Sequence, residues 1–342
     1  MNTPTHKPFI IPIFLPHAGC PHQCAFCNQA TITGFDGKIP TPEEVANLIQ
    51  RYLKYKGKQR DTVQIAFFGG NFLGIKTDQI ALLLQTAAAF IEAGHVDGIR
   101  FSTRPDTVDR KRLDMLSDFP VSTVELGVQS MDDRVLALSK RGHTAADTIK
   151  SVQLLKARNY EIGLQIMVGL PGEDAAGLLA TARAIADLKP DFVRIYPTLV
   201  IDGSPLAKWY QTHKYTPLKL ENAVSQVKNL VLFFRDKKIK IIRMGLQASE
   251  DLNDGSTVLD GPYHPAFGHM VYSEIFWDKA LAAIESAGIV KDTLTIFVNP
   301  RSISKMRGLN NSNIKKLKNQ FQFESVVVMP DLALGEEELR IG

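Results

Sequence analysis

The chain has 342 residues, of which 44% are apolar and 22% charged, with a formal net charge of +4. That make-up fits one large or two ordinary globular domains, and the charge is too small to imply a nucleic-acid partner on its own. No apolar run approaches the ~20 residues that cross a bilayer, which excludes a helical membrane span. The opening apolar stretch FIIPIFL is broken by Pro12 and closed by Pro16, with no small-residue cleavage site behind it. It reads as part of the fold rather than a leader, and the expected location is cytoplasmic, with no membrane partner.

Six apolar, β-branched runs read as strands: about 9–14 (FIIPIF), 62–68 (TVQIAFF), 98–102 (GIRFS), 122–128 (STVELGV), 160–168 (YEIGLQIMV) and 191–196 (DFVRIY). Helical patterns alternate with them. Thr41-Pro42-Glu43-Glu44 carries a threonine cap, a first-turn proline and acids at the positive helix end. Thr77-Asp78 opens IALLLQTAAAFIEAG, which Gly94 ends; Thr144 with Asp147 and later Asp174 open two more helices. Strands alternating with helices predict a parallel sheet covered on both faces. A barrel and an open doubly wound sheet share that pattern. Here every unusual residue group follows a strand, and in a barrel all such loops meet at one mouth. The expected fold is therefore α/β: a partial (β/α)6 TIM-like barrel over residues 1–245, with a small C-terminal α/β extension over 246–342. The stretch 246–268 is irregular. A helix from Tyr272 to Ala287, a strand (LTIFV), a basic stretch, another helix and a strand (SVVVM) follow.

All three cysteines of the chain lie in GCPHQCAFC, as Cys20, Cys24 and Cys27. Three thiols make a poor disulfide framework, and their C-x3-C-x2-C spacing is that of a metal site. Thiolates suit zinc, copper(I) or iron–sulfur clusters. A structural zinc would take a fourth ligand, and His17 or His22 stands near enough in sequence to supply it. A [4Fe–4S] cubane held by three cysteines would instead leave one iron open to an outside ligand.

C-x3-C-x-(aromatic)-C, with Phe26 as the aromatic, at the end of a first barrel strand resembles the radical S-adenosylmethionine (SAM) superfamily. The resemblance implies a [4Fe–4S] cluster on Cys20, Cys24 and Cys27 whose open iron binds the amino and carboxylate groups of SAM. It also implies reductive cleavage of the sulfonium to a 5′-deoxyadenosyl radical, which abstracts hydrogen from a substrate. An external electron donor of the flavodoxin or ferredoxin type is implied with it. Gly69-Gly70 is similar to the first two residues of the family's Gly-Gly-Glu motif, whose backbone receives the methionine amino group; Asn71 departs from the third. Ser102 and Thr103 resemble the position that reaches the SAM ribose or carboxylate. Gln129 resembles the ribose-side residue of the fourth strand, and Gln165 lies on the strand that runs beside the adenine, with Gly169–Gly172 bringing backbone near the base.

Arg104, Arg141 and Arg194 stand at or near strand ends, where a guanidinium could clamp the SAM carboxylate or a substrate phosphate. Arg194 interrupts an apolar strand, where a buried charge is costly without a partner, and Glu125 on the fourth strand has the same character. ELGVQS, RGHT and GLPGE resemble the radical SAM half of the Elongator catalytic subunit, which acts on a tRNA wobble uridine and carries an acetyltransferase domain. Only about a hundred residues follow the barrel here, so the same reaction is not implied. The substrate expectation is a tRNA nucleoside or modified base. A porphyrin-like or salvage substrate and a zinc-stabilised RNA-binding module stand as alternatives. The cationic run between Asn299 and Lys318 (Arg301, Lys305, Arg307, Lys315, Lys316, Lys318) reads either as a phosphate-binding strip or as a solvated face. The loop Gly261–Met270 reads either as a cover for the substrate or as an ordered link.

Overall fold

The computed structural model describes residues 8–15, 17–28, 38–57, 62–246, 257–288 and 292–342. Met1–Lys7 and Pro16, part of the leader reading, lie outside these residues, as do 247–256 of the irregular stretch.

Strand β1 (Phe9–Leu15) is followed by α1 (Pro42–Lys54), β2 (Val63–Gly69), α2 (Thr77–Glu92), β3 (Gly98–Thr103), α3 (Arg110–Leu116) and β4 (Val121–Gln129). Then come α4 (Asp133–Leu138), α5 (Ala145–Lys156), β5 (Glu161–Val168), α6 (Ala175–Asp187), β6 (Phe192–Pro197) and the two-residue β7 (Val200–Ile201). Helix α7 (Pro205–Gln211), α8 (Leu220–Asp236), β8 (Lys240–Met244) and β9 (Val258–Asp260) follow. The chain ends with α9 (Phe267–Ala287), β10 (Thr293–Val298), α10 (Ile303–Arg307), α11 (Ser312–Phe321), β11 (Ser325–Pro330) and β12 (Leu339–Ile341).

The expected helix starts are present in atomic detail. Thr41 and Glu44 form a reciprocal capping box with Pro42 in the first turn, and Thr144 with Asp147 forms another. Asp174 caps α6 through the amide of Gly177.

The main sheet is parallel and runs β1-β2-β3-β4-β5-β6-β8. β1 and β8 are its two edges, so the sheet is a curled part-barrel rather than a closed one. Its seventh strand, KIIRM, was not recognised from the sequence. Lysine and arginine dilute its apolar pattern, and it is half-exposed along most of its length.

Alternation along each strand sets the two faces apart. Ile99 and Phe101, Val124, Leu126 and Val128, Leu164 and Ile166, and Val193 and Ile195 pack under the helices in one continuous core. The intervening positions occupy the concave face, where polar residues (Gln64, Arg100, Glu125, Gln129, Gln165 and Arg194) stand among apolar ones (Phe14, Phe68 and Phe192). All strands end on one rim, as the loop pattern predicts.

The C-terminal segment forms a second sheet, β11-β10-β12, with its own core. Helix α9 serves both: Phe267, Val271 and Ile275 belong to the main core, and Phe276, Ala280 and Ile284 to the second. β9 pairs back onto β7 as a small antiparallel ladder. Among the described residues no helix is long and apolar enough to cross a membrane.

The helix expected from Tyr272 starts at Phe267, so that of the stretch 261–270 only 261–266 is a link and the rest is the first turn of α9. The His264 ring accepts from the Ala266 amide at 3.0 Å at the entry to α9, and Gly261 packs on Thr198 and Leu199 at a φ of 116° that favours glycine.

Just behind the rim a ring stack ties β2 and the turn after it to β3. Phe72 lies between Phe67 and Phe101, with centroid distances of 5.0 and 4.6 Å. Its side chain is fully buried. Phe72→Ala should therefore cost about 3–5 kcal/mol through lost transfer and an unfilled cavity, read as a fall in unfolding free energy in denaturant titration; a loss under about 1 kcal/mol would mean that the stack does not hold β2 to β3.

Candidate cofactor site at the barrel rim

The loop after β1 carries the three thiols, none of them in a disulfide, with Cys24 buried and Cys20 and Cys27 half-buried. Short backbone bonds fix it: Cys20 N–H to His17 O, Cys27 N–H to Cys24 O, and Ala25 N–H to Ser139 O across the rim. Phe26 anchors its far side, packing against Val135, Met167 and Leu170 and also against Leu206, Ala207 and Tyr215.

Two buried guanidiniums meet this loop from the other strands. Arg141 Nη1 donates to Cys24 Sγ at 3.1 Å, and Arg104 Nη1 lies 4.0 Å from the same sulfur. Arg104 is held bidentately by Asp106, with both contacts at 2.9 Å, and also donates to the Arg141 carbonyl. Arg141 has no carboxylate partner among the described residues; its other bond goes to the Gly127 carbonyl. Burial and the neighbouring Cys24 push the Cys20 thiol up, and Arg104 and Arg141 pull it down. The upward push prevails at Cys20, with the two arginines opposing it.

The donor set fits an iron–sulfur cluster in kind: three soft thiols on one loop, none in a disulfide, with cationic N–H donors on one of the sulfurs. Among the described residues no three His, Cys, Asp or Glu side chains, the cysteines included, draw together as a metal cage.

Gly69 and Gly70 are half-exposed beside the cysteine loop. Gly69 has a φ of 105°, which requires glycine. Gly70 is required for another reason: a Cβ there would lie 2.3 Å from the Ala18 carbonyl oxygen and 2.5 Å from that of Leu15. The close approach expected between backbone and ligand is, at Gly70, an approach of backbone to backbone.

Ser102 is half-exposed on the concave face, whereas Thr103 is buried with its hydroxyl 2.7 Å from Asn71 Oδ1. The structure thus brings Ser102, but not the Thr103 hydroxyl, to the open face. Gln129 and Gln165 come together, with Gln165 Nε2 donating to Gln129 Oε1 at 3.3 Å. Gln129 has a φ of 70° where the β4–β5 register shifts, a strained conformation for a non-glycine residue that re-aims a strand-end side chain.

Arg194 stands lower on the concave face, with its Nε 2.8 Å from Glu125 Oε2 and its Nη2 3.1 Å from Oε1. Arg100, which the sequence reading did not single out, is 2.9 Å from the same carboxylate. Glu125 is thus the inward partner expected for Arg194, and it serves two guanidiniums. Phe68 and Phe192 cover them.

Glu173 of GLPGE accepts from the Gly169 and Leu170 amides, and burial pushes its carboxyl up to about 7. The Tyr215 hydroxyl closes the same loop by donating to the Gly169 carbonyl at 2.7 Å. Beside it opens a cavity of about 460 Å³ whose lining includes Leu170, Gly172, Trp209, Lys214 and Tyr215.

The cationic run near the C-terminus is largely engaged by neighbouring side chains. Arg301 pairs with Glu336, Lys316 with Glu274, and Lys305 sits over the Tyr272 ring. The solvated-face reading is the one the structure favours.

A part-barrel with a three-thiol loop and a glycine pair on one rim defines a class of cofactor-dependent enzyme. Residues 14–185, half of the chain, match the radical SAM superfamily, and residues 190–276 match the radical SAM C-terminal domain. The chain belongs to the radical SAM superfamily, whose members bind a [4Fe–4S] cluster and SAM. It is similar to tRNA uridine(34) acetyltransferases from Dehalococcoides mccartyi (28% identity over 281 residues, 69% of this chain and 60% of that one) and Methanocaldococcus jannaschii (28% over 292 residues, 74% and 53%). It therefore spans little more than half the length of these curated relatives. The solved structure of archaeal Methanocaldococcus infernus Elp3 with an N-terminal deletion shares the fold, with a TM-score of 0.63 at 22% identity over 84% of this chain and 69% of that one.

His143 lies behind the arginine pair. Its Nε2 is 3.2 Å from the Val128 carbonyl, and burial, reinforced by Arg141 and Arg104, lowers it from 6.5 to about 3. The unfolded chain takes up this proton below about pH 6.5 and the folded chain does not, so acid weakens the fold. Glu173 acts with the opposite sign between about pH 7 and 4.5. Comparison with His143→Gln isolates the histidine: between pH 7.5 and 5 the wild type should lose about 2 kcal/mol more unfolding free energy than the variant. Parallel curves would show that the imidazole is not held neutral.

Proposed function

We propose that this enzyme uses a [4Fe–4S] cluster and SAM to act on a nucleoside of tRNA, with residues 1–245 as the radical SAM core and 246–342 as a cap. The observation that carries the cofactor reading is the Cys20-Cys24-Cys27 loop with Arg141 on Cys24 Sγ. When bound, the cluster supplies one-electron cleavage of the SAM sulfonium. Cys20, Cys24 and Cys27 would hold three irons. Arg141 and Arg104 offset thiolate charge and offer cationic N–H groups to a carboxylate at the rim. Gly69-Gly70 presents main chain to the cofactor's amino group. Ser102, Gln129 and Gln165 line the concave face towards the ribose, with Phe26 and the Gly169–Gly172 loop on the base side. Arg194 orders the concave face through Glu125, beneath the reacting groups. A flavodoxin or ferredoxin would deliver the electron.

The tRNA reading draws on the relatives' substrate class and on the cavity bordered by Trp209, Tyr215 and Lys214. Aromatic faces beside a cation suit a splayed base. Lys140 lies over the Trp209 ring and adds to that charge. Engagement of the C-terminal cations weighs against an RNA-binding module built on that strip.

Anaerobic reconstitution should give a brown protein with about four iron and four sulfide per chain. With reductant and SAM it should release 5′-deoxyadenosine, faster with tRNA than with free uridine or a porphyrinogen. Cys24→Ser should lose both iron and product. Colourless protein with one zinc would overturn the cofactor reading, and turnover stimulated by a porphyrinogen but not by tRNA would overturn the substrate.

A further inference from the structure

Asn71, immediately after the glycine pair, is fully enclosed, at 0% exposure. Its neighbours fix which way its amide points. The Arg104 amide donates to Oδ1 at 3.0 Å and the Thr103 hydroxyl at 2.7 Å. The Thr107 hydroxyl is 2.9 Å from that oxygen and 2.9 Å from the Arg104 carbonyl, shared between them. With donors crowding one side, Nδ2 faces the other, where it donates to the Gly19 carbonyl at 2.8 Å. The main chain adds a second tie, Asn71 N–H to the Ala18 carbonyl at 2.8 Å. One residue thus joins the loops after β1, β2 and β3, and the first of these carries Cys20.

The junction has no room to spare. A Cβ on Gly74 would sit 2.1 Å from the Gly19 carbonyl oxygen and 2.3 Å from Asn71 Nδ2, and one on Gly19 would sit 2.3 Å from the Asn71 main-chain carbonyl oxygen. Only an amide of this length both accepts from Arg104 and Thr103 and donates to Gly19. An aspartate would keep the first function and turn an oxygen onto the Gly19 carbonyl.

Resting on the radical SAM reading above, we propose that Asn71 is a positioning residue of the cofactor site. It contacts no cofactor; it fixes a single spacing between the cysteine loop and the Gly69-Gly70 main chain, which one bound cofactor must span.

The test compares Asn71→Asp with Ile185→Ala, a core truncation at the end of α6 away from the rim. In the chain as purified, amide hydrogen exchange of residues 17–27 should quicken about tenfold or more in Asn71→Asp and stay within about twofold in Ile185→Ala, at a comparable fall in melting temperature. After reconstitution, SAM should bind about tenfold more weakly to Asn71→Asp only, and its iron should be lost faster to a chelator. Wild-type exchange and SAM affinity in Asn71→Asp would overturn the proposal, as would equal changes in Ile185→Ala. A wild type that holds neither cluster nor SAM would instead overturn the cofactor reading; the exchange comparison does not depend on that cofactor and still decides the tie.

Discussion

A parallel strand cannot turn straight back onto its neighbour. It must cross over, and each crossover returns the next strand to the same end of the sheet. That constraint makes the rim. Cys24 and Arg141 are 117 residues apart in sequence, and Asn71 and Arg104 are 33 apart, yet both pairs are in hydrogen-bond contact because each residue follows a strand of one parallel sheet. The helices contribute by covering the outer face, which lets the strands be nearly continuous in apolar residues on that side.

The concave face is governed by the sheet's failure to close. In a closed small barrel the interior positions are filled by branched aliphatic side chains. Here polar side chains stand among aromatic and other apolar ones, and one carboxylate, Glu125, receives guanidiniums from β3 and β6. Taking three charges out of water costs several kcal/mol per ion, offset by the ion pairs to Glu125, by the Arg194 Nη2 bond to it at 3.1 Å, by the Arg100 bond to Gln64 at 3.1 Å, and by two aromatic faces. The result holds β3, β4 and β6 in one register and leaves positive charge in excess beneath the rim. Arg141 adds to that excess from above.

Much of this was legible in the sequence, and the reasons differ by feature. The strands were visible because their outward faces are apolar, and the helix starts because capping needs particular residues at fixed spacing. Strand β8 was not visible: as an edge strand it is half-exposed, and Lys240 and Arg243 are compatible with that. The cysteine loop was legible because thiols are rare and their spacing is chemical. Arg194 and Glu125 were legible as charges inside apolar strands. Arg100 breaks its strand in the same way, in GIRFS, and that signal was available but not used. Arg141 was noted only for its place near a strand end, since nothing local says that it reaches a sulfur more than a hundred residues back.

The glycine pair shows where reading from sequence reaches its boundary. A Gly-Gly after a strand announces that backbone comes close to something, but not to what. At Gly69 the answer is conformational, and at Gly70 it is the Ala18 and Leu15 carbonyls of the cysteine loop. Asn71 follows from that packing. The three donors around Oδ1 would accept a carboxylate equally well, so they do not select asparagine; the Gly19 carbonyl does, because it can only be met by a donor. A glutamate, one methylene longer, would also have to enter space already taken by the Gly19–Gly74 contact. The departure from Gly-Gly-Glu is therefore tied to how tightly this chain packs its cysteine loop on the second strand, and the same closeness excludes a side chain at Gly19, Gly70 and Gly74 together.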